Sequence, residues 1–195
     1  HNEDEFADFV ESLGVETVRN TRKIVPGCEL DVFVPSMDVA FEFNGVYWHC
    51  DLFKSPSYHF DKYQSCKDSG ITLIQVWEDD WNLRRPIVES MIRRKLKLDK
   101  DKIPARKCTI EVIPRRKYMP FFQENHIQGG VSLTHCWGLI YEDVLVAAIG
   151  LTSSGGDKPS WVLSRYATSS VVQGGFTKLL KRVKNEVSGP IKTFA

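Results

Sequence analysis

Apolar residues recur at helical spacing close to the start of the chain. Phe6, Phe9 and Val10 lie three to four positions apart, which predicts a helix over residues 3–13. Similar spacing, interrupted by glycine or polar residues, predicts four more helices at 57–69, 83–98, 115–125 and about 174–187.

Strand patterns lie between these helices. Residues 29–34 and 39–44 predict two strands joined by a tight turn, and so an antiparallel hairpin. The continuous apolar run 71–78 has the length of a buried strand. Further strands are predicted at 108–113, 136–141, 144–151 and 160–166. Helices that alternate with strands in this order predict an α/β (α+β) fold with a mixed sheet flanked by helices.

A polar stretch at 99–104 indicates a boundary within the chain. The predicted organisation is a first domain over 1–82, a basic helix and linker over 83–107, and a second α/β domain over 108–195. The chain begins without Met and stops on a strand-like run, so we expect it to be cut short.

Composition narrows the class of protein. The 195 residues are 42% hydrophobic and hold no run of 18 apolar residues, so no membrane-spanning helix is predicted. The first residues are acidic and polar, unlike a signal peptide. The five cysteines form no CxxC pair, which argues against a disulfide framework or a zinc site and favours a reducing cytoplasm.

Charge is balanced overall, at +1, but not along the chain. Residues 1–81 hold 6 basic and 16 acidic side chains, whereas residues 82–118 hold 13 basic and 4 acidic ones. The basic segment is either a solvated helix between two domains or a surface that grips phosphates. The excess of acidic residues in 1–81 calls for a separate explanation, and metal binding is one.

The predicted hairpin gathers acids. Because side chains alternate along a strand, Glu29 and Asp31 share one face, and Glu42 and Asn44 share one face of the next strand. Carboxylates held together repel one another unless a cation lies between them, and a hard divalent ion prefers oxygen ligands. The hairpin therefore predicts a metal site.

More chemistry follows the second strand. His49 and Asp51 are catalytic candidates, and Tyr47 and Trp48 are large aromatic neighbours. Each of these residues alone is commonly structural, but the set within residues 29–51 indicates an active site. The secondary catalytic candidates are Glu29, Asn44, His59, Lys62 and Gln75.

The spacing of Asp31 and Glu42-Phe43-Asn44 resembles the PD-(D/E)xK nuclease core, with Asn44 in the usual Lys position. Residues 20–51 and 58–81 more closely resemble the very-short-patch-repair-like branch, whose phage members are the EDxHD homing endonucleases. The resemblance spans about residues 3–98. It implies a restriction-endonuclease-like fold and a phage homing endonuclease acting in the cytoplasm of a bacterial host.

The resemblance also implies roles. Asp31 would be the central metal ligand for Mg²⁺ or Mn²⁺, with help from Glu42. Glu3 matches the family's leading Glu, while His49 and Asp51 match its HD pair. Because Asn44 replaces the lysine, His49 would handle the proton. Tyr47 and Trp48 match an aromatic pair that wedges between base pairs.

The implied reaction is hydrolysis of a DNA phosphodiester, as a nick or a double-strand cut, on double-stranded DNA. Cutting both strands would need a homodimer or sequential nicks. The predicted phosphate-gripping residues are Arg84, Arg85, Arg93, Arg94, Lys95, Arg106, Lys107, Arg115, Arg116 and Lys117.

The second half resembles, more weakly, the acyl-CoA N-acyltransferase fold, in residues 120–130, 137–151 and 171–180. The pair His126 and Glu124 could be catalytic or a packing and DNA-contact feature. We expect a DNA-docking role for this half. The alternatives are a DNA-modifying acyltransferase and a non-catalytic DNA-binding module.

Overall fold

The computed structural model describes residues 2–45, 58–99, 101–155 and 160–193. The chain divides into two compact units, residues 1–98 and 99–195. The division falls inside the range 83–107 that the sequence predicts as a linker, at the polar stretch beginning with Asp99. The mixed α/β class predicted from the sequence is confirmed.

The first unit is a four-stranded sheet with three helices among its described residues. The sheet order is β1-β2-β3-β4, in which the first two pairings are antiparallel and the last is parallel. The elements are α1 (Asn2–Ser12), β1 (Val18–Thr21), β2 (Leu30–Val34), β3 (Val39–Asn44), α2 (Tyr58–Asp68), β4 (Thr72–Trp77) and α3 (Glu78–Lys95).

The β2–β3 hairpin turns through a short 3₁₀ segment, Pro35–Met37, that is followed by Asp38 in the left-handed region at φ 51°. Asp is one of the few residues that tolerate this conformation. The turn sets a register in which Val32 lies opposite Phe41. The antiparallel hairpin predicted from the sequence is thus confirmed.

Helix α1 packs on one face of this sheet through Phe6, which is fully buried. The Phe6 ring lies 6.0 Å from the Phe41 ring and 5.4 Å from the Trp81 ring, both in edge-on geometry. Cys66 of α2 belongs to a separate buried cluster, in which it packs with Phe33, Ala40 and other buried residues of the sheet. Helix α2 therefore covers the polar face of β3.

The second unit contains a five-stranded sheet of order β11-β9-β8-β7-β6 and a separate parallel pair, β10-β5. In the larger sheet β11 runs parallel to β9, and the other pairings are antiparallel. The elements are β5 (Lys102–Pro104), β6 (Thr109–Val112), α4 (Arg115–Asn125), β7 (His135–Tyr141), β8 (Val144–Ser153), β9 (Trp161–Thr168), β10 (Val171–Gln173), α5 (Gly175–Glu186) and β11 (Ile191–Lys192).

Two clusters make up the core that the described residues of this unit form. Leu179 and Val183 of α5 pack into one of them with Trp137, Leu139 and Ile149 of the sheet. Helix α4 contributes Tyr118, Phe121 and Phe122 to the other. The two helices thus bury apolar stripes against β7 to β9.

The predicted bounds of one helix are wrong. Helix α3 begins at Glu78, not at residue 83, and ends at Lys95, not at residue 98. Acids fill its first turn and basic residues its last, which suits the helix dipole at both ends. Pro86 lies inside the helix, and Arg84 departs from helical geometry at φ −135° and ψ 29°. This kink separates the first turns of α3 from the regularly spaced apolar residues that predict the rest of the helix.

The sequence pattern does not predict the strands β1, β5 and β10. Each has only three or four residues, too short for an alternating pattern to be recognised. No helix among the described residues is long and apolar enough to cross a membrane.

Lys178 of α5 joins the helix to the β5–β6 connection. Its Nζ donates to the carbonyl oxygens of Ala105 and Cys108, at 2.9 and 2.6 Å. We expect Lys178→Met to lower the free energy of unfolding by about 1–3 kcal/mol, because two carbonyl acceptors lose a charged donor. Urea unfolding measures the change. The exposed Lys181 of the same helix is the control, and an equal loss in Lys181→Met would contradict this role.

Candidate active site

A row of polar side chains crosses three strands of the first unit. The β2–β3 register, continued by one residue, places Asp31 opposite Glu42, and the β3–β4 register places Glu42 opposite Gln75. Residues that lie opposite one another in a sheet project from the same face. The face-sharing of Glu42 and Asn44 predicted from alternation fits this register.

Asp31 is half-buried and is held by the sheet itself. Its Oδ2 accepts a hydrogen bond of 2.7 Å from the backbone N–H of Phe43. An N–H donor fixes the carboxylate's orientation and stabilises its charged form. This bond holds the Asp31 side chain at the point where β2 meets β3.

Glu42 is paired with Lys62 of α2. The Lys62 Nζ donates to Glu42 Oε2, and the two side chains are only 4% and 7% exposed. Burial alone lowers the pKa of Lys62, but its hydrogen bond to Glu42 and the charges of Glu42, Asp31 and Tyr58 outweigh burial, so the pKa is raised. Lys62 is therefore charged at neutral pH.

Asn44 continues the same face of β3 and is fully buried. Its Nδ2 donates to Gln75 Oε1 at 3.3 Å, and Gln75 Nε2 donates to the backbone oxygen of His59 at 3.5 Å. The Asn44 Oδ1 is buried and has no hydrogen-bond partner among the described residues. The His59 ring lies 5.5 Å from that of Trp77.

Glu3, in the first turn of α1, belongs electrostatically to this site. Its pKa is raised, first by burial and then by the charges of Asp31, Asp4 and Glu29. The structure thus brings Glu3 close enough to Asp31 for the two carboxylates to repel one another. Glu29 lies just before β2 and forms an ion pair with Arg22 at 2.6 Å.

These donors fit a hard divalent cation. Two mutually repelling carboxylates, Glu3 and Asp31, would be stabilised by a cation between them, and the unsatisfied Asn44 amide oxygen is a further hard ligand. Within residues 2–45, 58–99, 101–155 and 160–193, no three His, Cys, Asp or Glu side chains are grouped as a metal site. The predicted His49, Asp51, Tyr47 and Trp48 lie outside the described residues.

Several predicted phosphate-gripping residues of α3 make contacts within the first unit. Arg85 bonds Glu5 and Glu89, and its guanidinium lies 4.4 Å from the centre of the Trp81 ring. Arg93 bonds Glu89 at 3.5 Å and lies over Phe9 of α1. These two side chains join α1 to α3. Of the others in α3, Arg84, Arg94 and Lys95 are half-buried or exposed.

The basic residues of the second unit are more accessible. Arg106 and Lys107 are exposed in a short 3₁₀ turn after β5. Arg115, Arg116 and Lys117 are exposed in the first turn of α4, where Arg115 donates to Ser132 Oγ at 2.6 Å. His126 ends α4 and accepts a hydrogen bond at Nδ1 from the N–H of Gln128.

The structure shows that Lys62 forms a buried ion pair with Glu42, which the sequence alone does not predict. The helical spacing of His59 and Lys62 predicts that they face the site, but the ion pair with Glu42 depends on how α2 packs on β3. The only sequence signal for that packing is the apolar Cys66, four residues after Lys62, which is fully buried in the same cluster as Ala40 of β3.

Comparison of the chain with protein-family models, curated proteins and solved structures finds no match.

Proposed function

We propose that this protein is a metal-dependent DNA endonuclease of the phage homing type, built on a restriction-endonuclease-like first unit. The observation that supports this most is the row Asp31, Glu42 and Gln75 across adjacent strands, with Glu3 near Asp31. The repulsion between Glu3 and Asp31 costs stability, and a cation bound between them would remove that cost.

In this proposal Asp31 would hold Mg²⁺ or Mn²⁺ with help from Glu42, and Glu3 would lie close to the ion. Bound there, the ion would polarise a DNA phosphate and stabilise the leaving oxyanion. The Phe43 N–H keeps the Asp31 carboxylate oriented, and the amides of Asn44 and Gln75 fix each other. His49 and Asp51 would position and deprotonate the attacking water.

The test is cleavage of supercoiled plasmid and phage-type DNA in Mg²⁺ and in Mn²⁺, with EDTA as the control. We expect metal-dependent cutting, in which open circles report nicks and linear DNA reports double-strand cuts. Cutting that persists after stringent chelation would contradict the metal mechanism. Linear product whose rate rises with the square of protein concentration would indicate a homodimer on DNA.

The second unit would dock the substrate through its exposed basic residues. Replacing Arg115, Arg116 and Lys117 together by Gln should weaken DNA binding at every sequence, because phosphate contacts carry no base information. The slope of log affinity against log salt should become shallower by roughly 2–3, since each phosphate contact releases about 0.9 counterion. Fluorescence anisotropy at several salt concentrations measures both effects.

The matched control for this triple variant removes the same charge elsewhere in the unit. Lys181, Lys184 and Lys192 are exposed, and the first two belong to α5. Replacing all three by Gln should leave the salt slope nearly unchanged. An equal effect from both triples would mean that net charge, and not a docking surface at α4, governs DNA binding.

One observation favours the acyltransferase alternative for the second unit. Strand β9 leads through β10 and Gly174 into α5, and the chain returns in β11 parallel to β9. A helix that begins after a glycine turn exposes backbone N–H groups suited to a pyrophosphate. Calorimetric binding of coenzyme A to the full chain would support a DNA-modifying acyltransferase, and absence of binding would remove it.

A further inference from the structure

We propose that Arg165 of β9, together with the hydroxyls of Ser164 and Thr152, binds a phosphate of the DNA backbone on the face of the second unit's sheet that packs against α4. This site rests on the proposed function, to which it adds one specific phosphate contact beyond the exposed basic residues. Arg165 is not among the phosphate-gripping residues that the sequence predicts.

A β-bulge in β9 turns Arg165 toward the α4 face of the sheet. The β8–β9 register shifts and leaves one extra residue, Ser164, in β9. Leu163 packs against the cluster to which α5 contributes, whereas Ala167 belongs to the cluster of α4. Strict alternation would place both on one face, since they lie four positions apart. The bulge therefore puts Arg165, two residues before Ala167, on the α4 face and not in the apolar core under α5.

The Arg165 guanidinium is held by two carbonyl oxygens. Its Nε donates to the oxygen of Gly129 at 3.0 Å, and its Nη1 donates to the oxygen of Ser164 at 2.6 Å. The loop at Gly129 is tightly packed, because a Cβ at Gly130 would lie 2.5 Å from the Met119 sulfur of α4. A guanidinium carries five N–H groups, so three of them make no hydrogen bond to the described residues. These three are available to a ligand.

The charge of Arg165 favours an anionic ligand. Among the residues that the structure describes, none forms an ion pair with Arg165. The guanidinium is half-buried, and burial lowers its pKa. Because arginine stays protonated nonetheless, a partly desolvated cation lacks a counter-charge that a bound anion would supply. Residues 99–195 hold 14 basic and 8 acidic side chains, which attracts anions to this unit.

Two hydroxyls on the α4 face indicate that the anion is a phosphate. Thr152 Oγ1 and Ser164 Oγ lie 2.7 Å apart and are part-buried. A Cβ at Gly150, two residues before Thr152, would meet Leu133 of the α4 cluster, so Thr152 lies on the α4 face. Arginine, serine and threonine side chains are common contacts of DNA phosphates. A tetrahedral phosphate has oxygens enough to accept from the Arg165 guanidinium and from a hydroxyl at once.

One loop connects Arg165 to the basic residues at the start of α4. Arg165 contacts this loop at Gly129, and Arg115 contacts it at Ser132, where the bond is 2.6 Å. Three residues of chain span at most about 10 Å. Each DNA strand carries a phosphate about every 3.4 Å along the helix axis. The two guanidinium groups are therefore placed to contact nearby phosphates of one DNA molecule.

Anisotropy titrations of a fluorescein-labelled duplex with the full chain, at several salt concentrations, test the site. We expect Arg165→Gln to weaken binding by about tenfold, because a charge-assisted hydrogen bond is lost. The slope of log affinity against log salt should become shallower by about 0.9. Arg165→Lys should keep the slope and lose about threefold in affinity, since lysine keeps the charge but lacks the planar fork. Lys184, exposed on α5, is the control, and Lys184→Gln should change neither quantity.

The salt slope separates a phosphate contact from a purely structural role. If Arg165 only tied the loop to β9, its loss would weaken binding without changing the number of counterions released. Replacing Thr152 by Val and Ser164 by Ala together removes neutral donors, and should weaken binding by about threefold at an unchanged slope. If Arg165→Gln does not fold, ¹⁵N NMR of the wild type decides, because the side-chain N–H resonances of Arg165 should shift when a short duplex is added.

The possible results distinguish this site from the proposed function. A wild-type salt slope in Arg165→Gln, or Arg165 resonances that do not move when DNA is added, would overturn the site and leave the nuclease proposal intact. DNA binding that depends on Arg165, in a protein that cuts no DNA with any metal, would support the site and refute the nuclease. A wild type that binds no DNA would refute both.

Discussion

Replacing Asp31 by Ala should reduce metal-dependent DNA cleavage by at least about a thousandfold while leaving DNA binding within about threefold of the wild type. In the proposed mechanism Asp31 holds the cation that stabilises the leaving oxyanion, and loss of such electrostatic stabilisation costs two to three orders of magnitude or more. DNA binding persists because it depends on basic side chains. Plasmid cleavage and fluorescence anisotropy measure the two effects.

Asp38 provides a matched control in the same hairpin. It is exposed in the turn between β2 and β3 and adopts φ 51°, a conformation that Asn also tolerates. Asp38→Asn removes one negative charge seven residues from Asp31 and should cut DNA like the wild type. Equal cutting by wild type and Asp31→Ala would refute the site at the hairpin.

Elements with a strong period were predictable from the sequence. The hairpin 29–34 and 39–44 corresponds to β2 and β3 within one residue, and helix 115–125 corresponds to α4 at both ends. In these segments local pattern and tertiary packing favour the same structure. The start of α3 was not predictable, because Pro86 interrupts the period that connects it to Glu78.

The sequence predicts which side of the sheet a residue of the candidate site faces better than it predicts which side chains are in contact there. Alternation along a strand predicts that Glu42 and Asn44 point to one side, as their register in the sheet indicates. It cannot predict that the partner of Glu42 is Lys62, twenty residues later on a helix. That contact depends on the parallel β3–β4 pairing and on the crossover helix between the strands. Both are features of the tertiary structure, and a local sequence pattern does not show them.

The roles of the basic residues are also only partly predictable from the sequence. Their number between residues 82 and 118 predicts a phosphate-binding surface, but charge patterning cannot separate structural from exposed side chains. Arg85 and Arg93 bond acids and aromatic rings of the first unit, whereas Arg115 to Lys117 are exposed in the second. Replacing the first two would therefore act on stability, and replacing the others on DNA binding.

Replacing Lys62 by Met should lower the free energy of unfolding by about 3–5 kcal/mol, the usual cost of leaving a buried charge without its partner. Glu42 is 7% exposed and would lose the ammonium that neutralises it. The loss should shrink at acidic pH, where a proton can replace Lys62 in neutralising the carboxylate. Urea unfolding followed by circular dichroism at two pH values measures both effects.

Lys67, on the same helix but exposed, is the control, and Lys67→Met should change stability by less than about 0.5 kcal/mol. Adding Glu42→Gln to Lys62→Met should recover most of the lost stability, since no charge is then buried. A Lys62→Met protein as stable as the wild type at neutral pH would mean that Glu42 finds another cation or reaches solvent. In that case the buried pair would not be what fixes Glu42 beside Asp31.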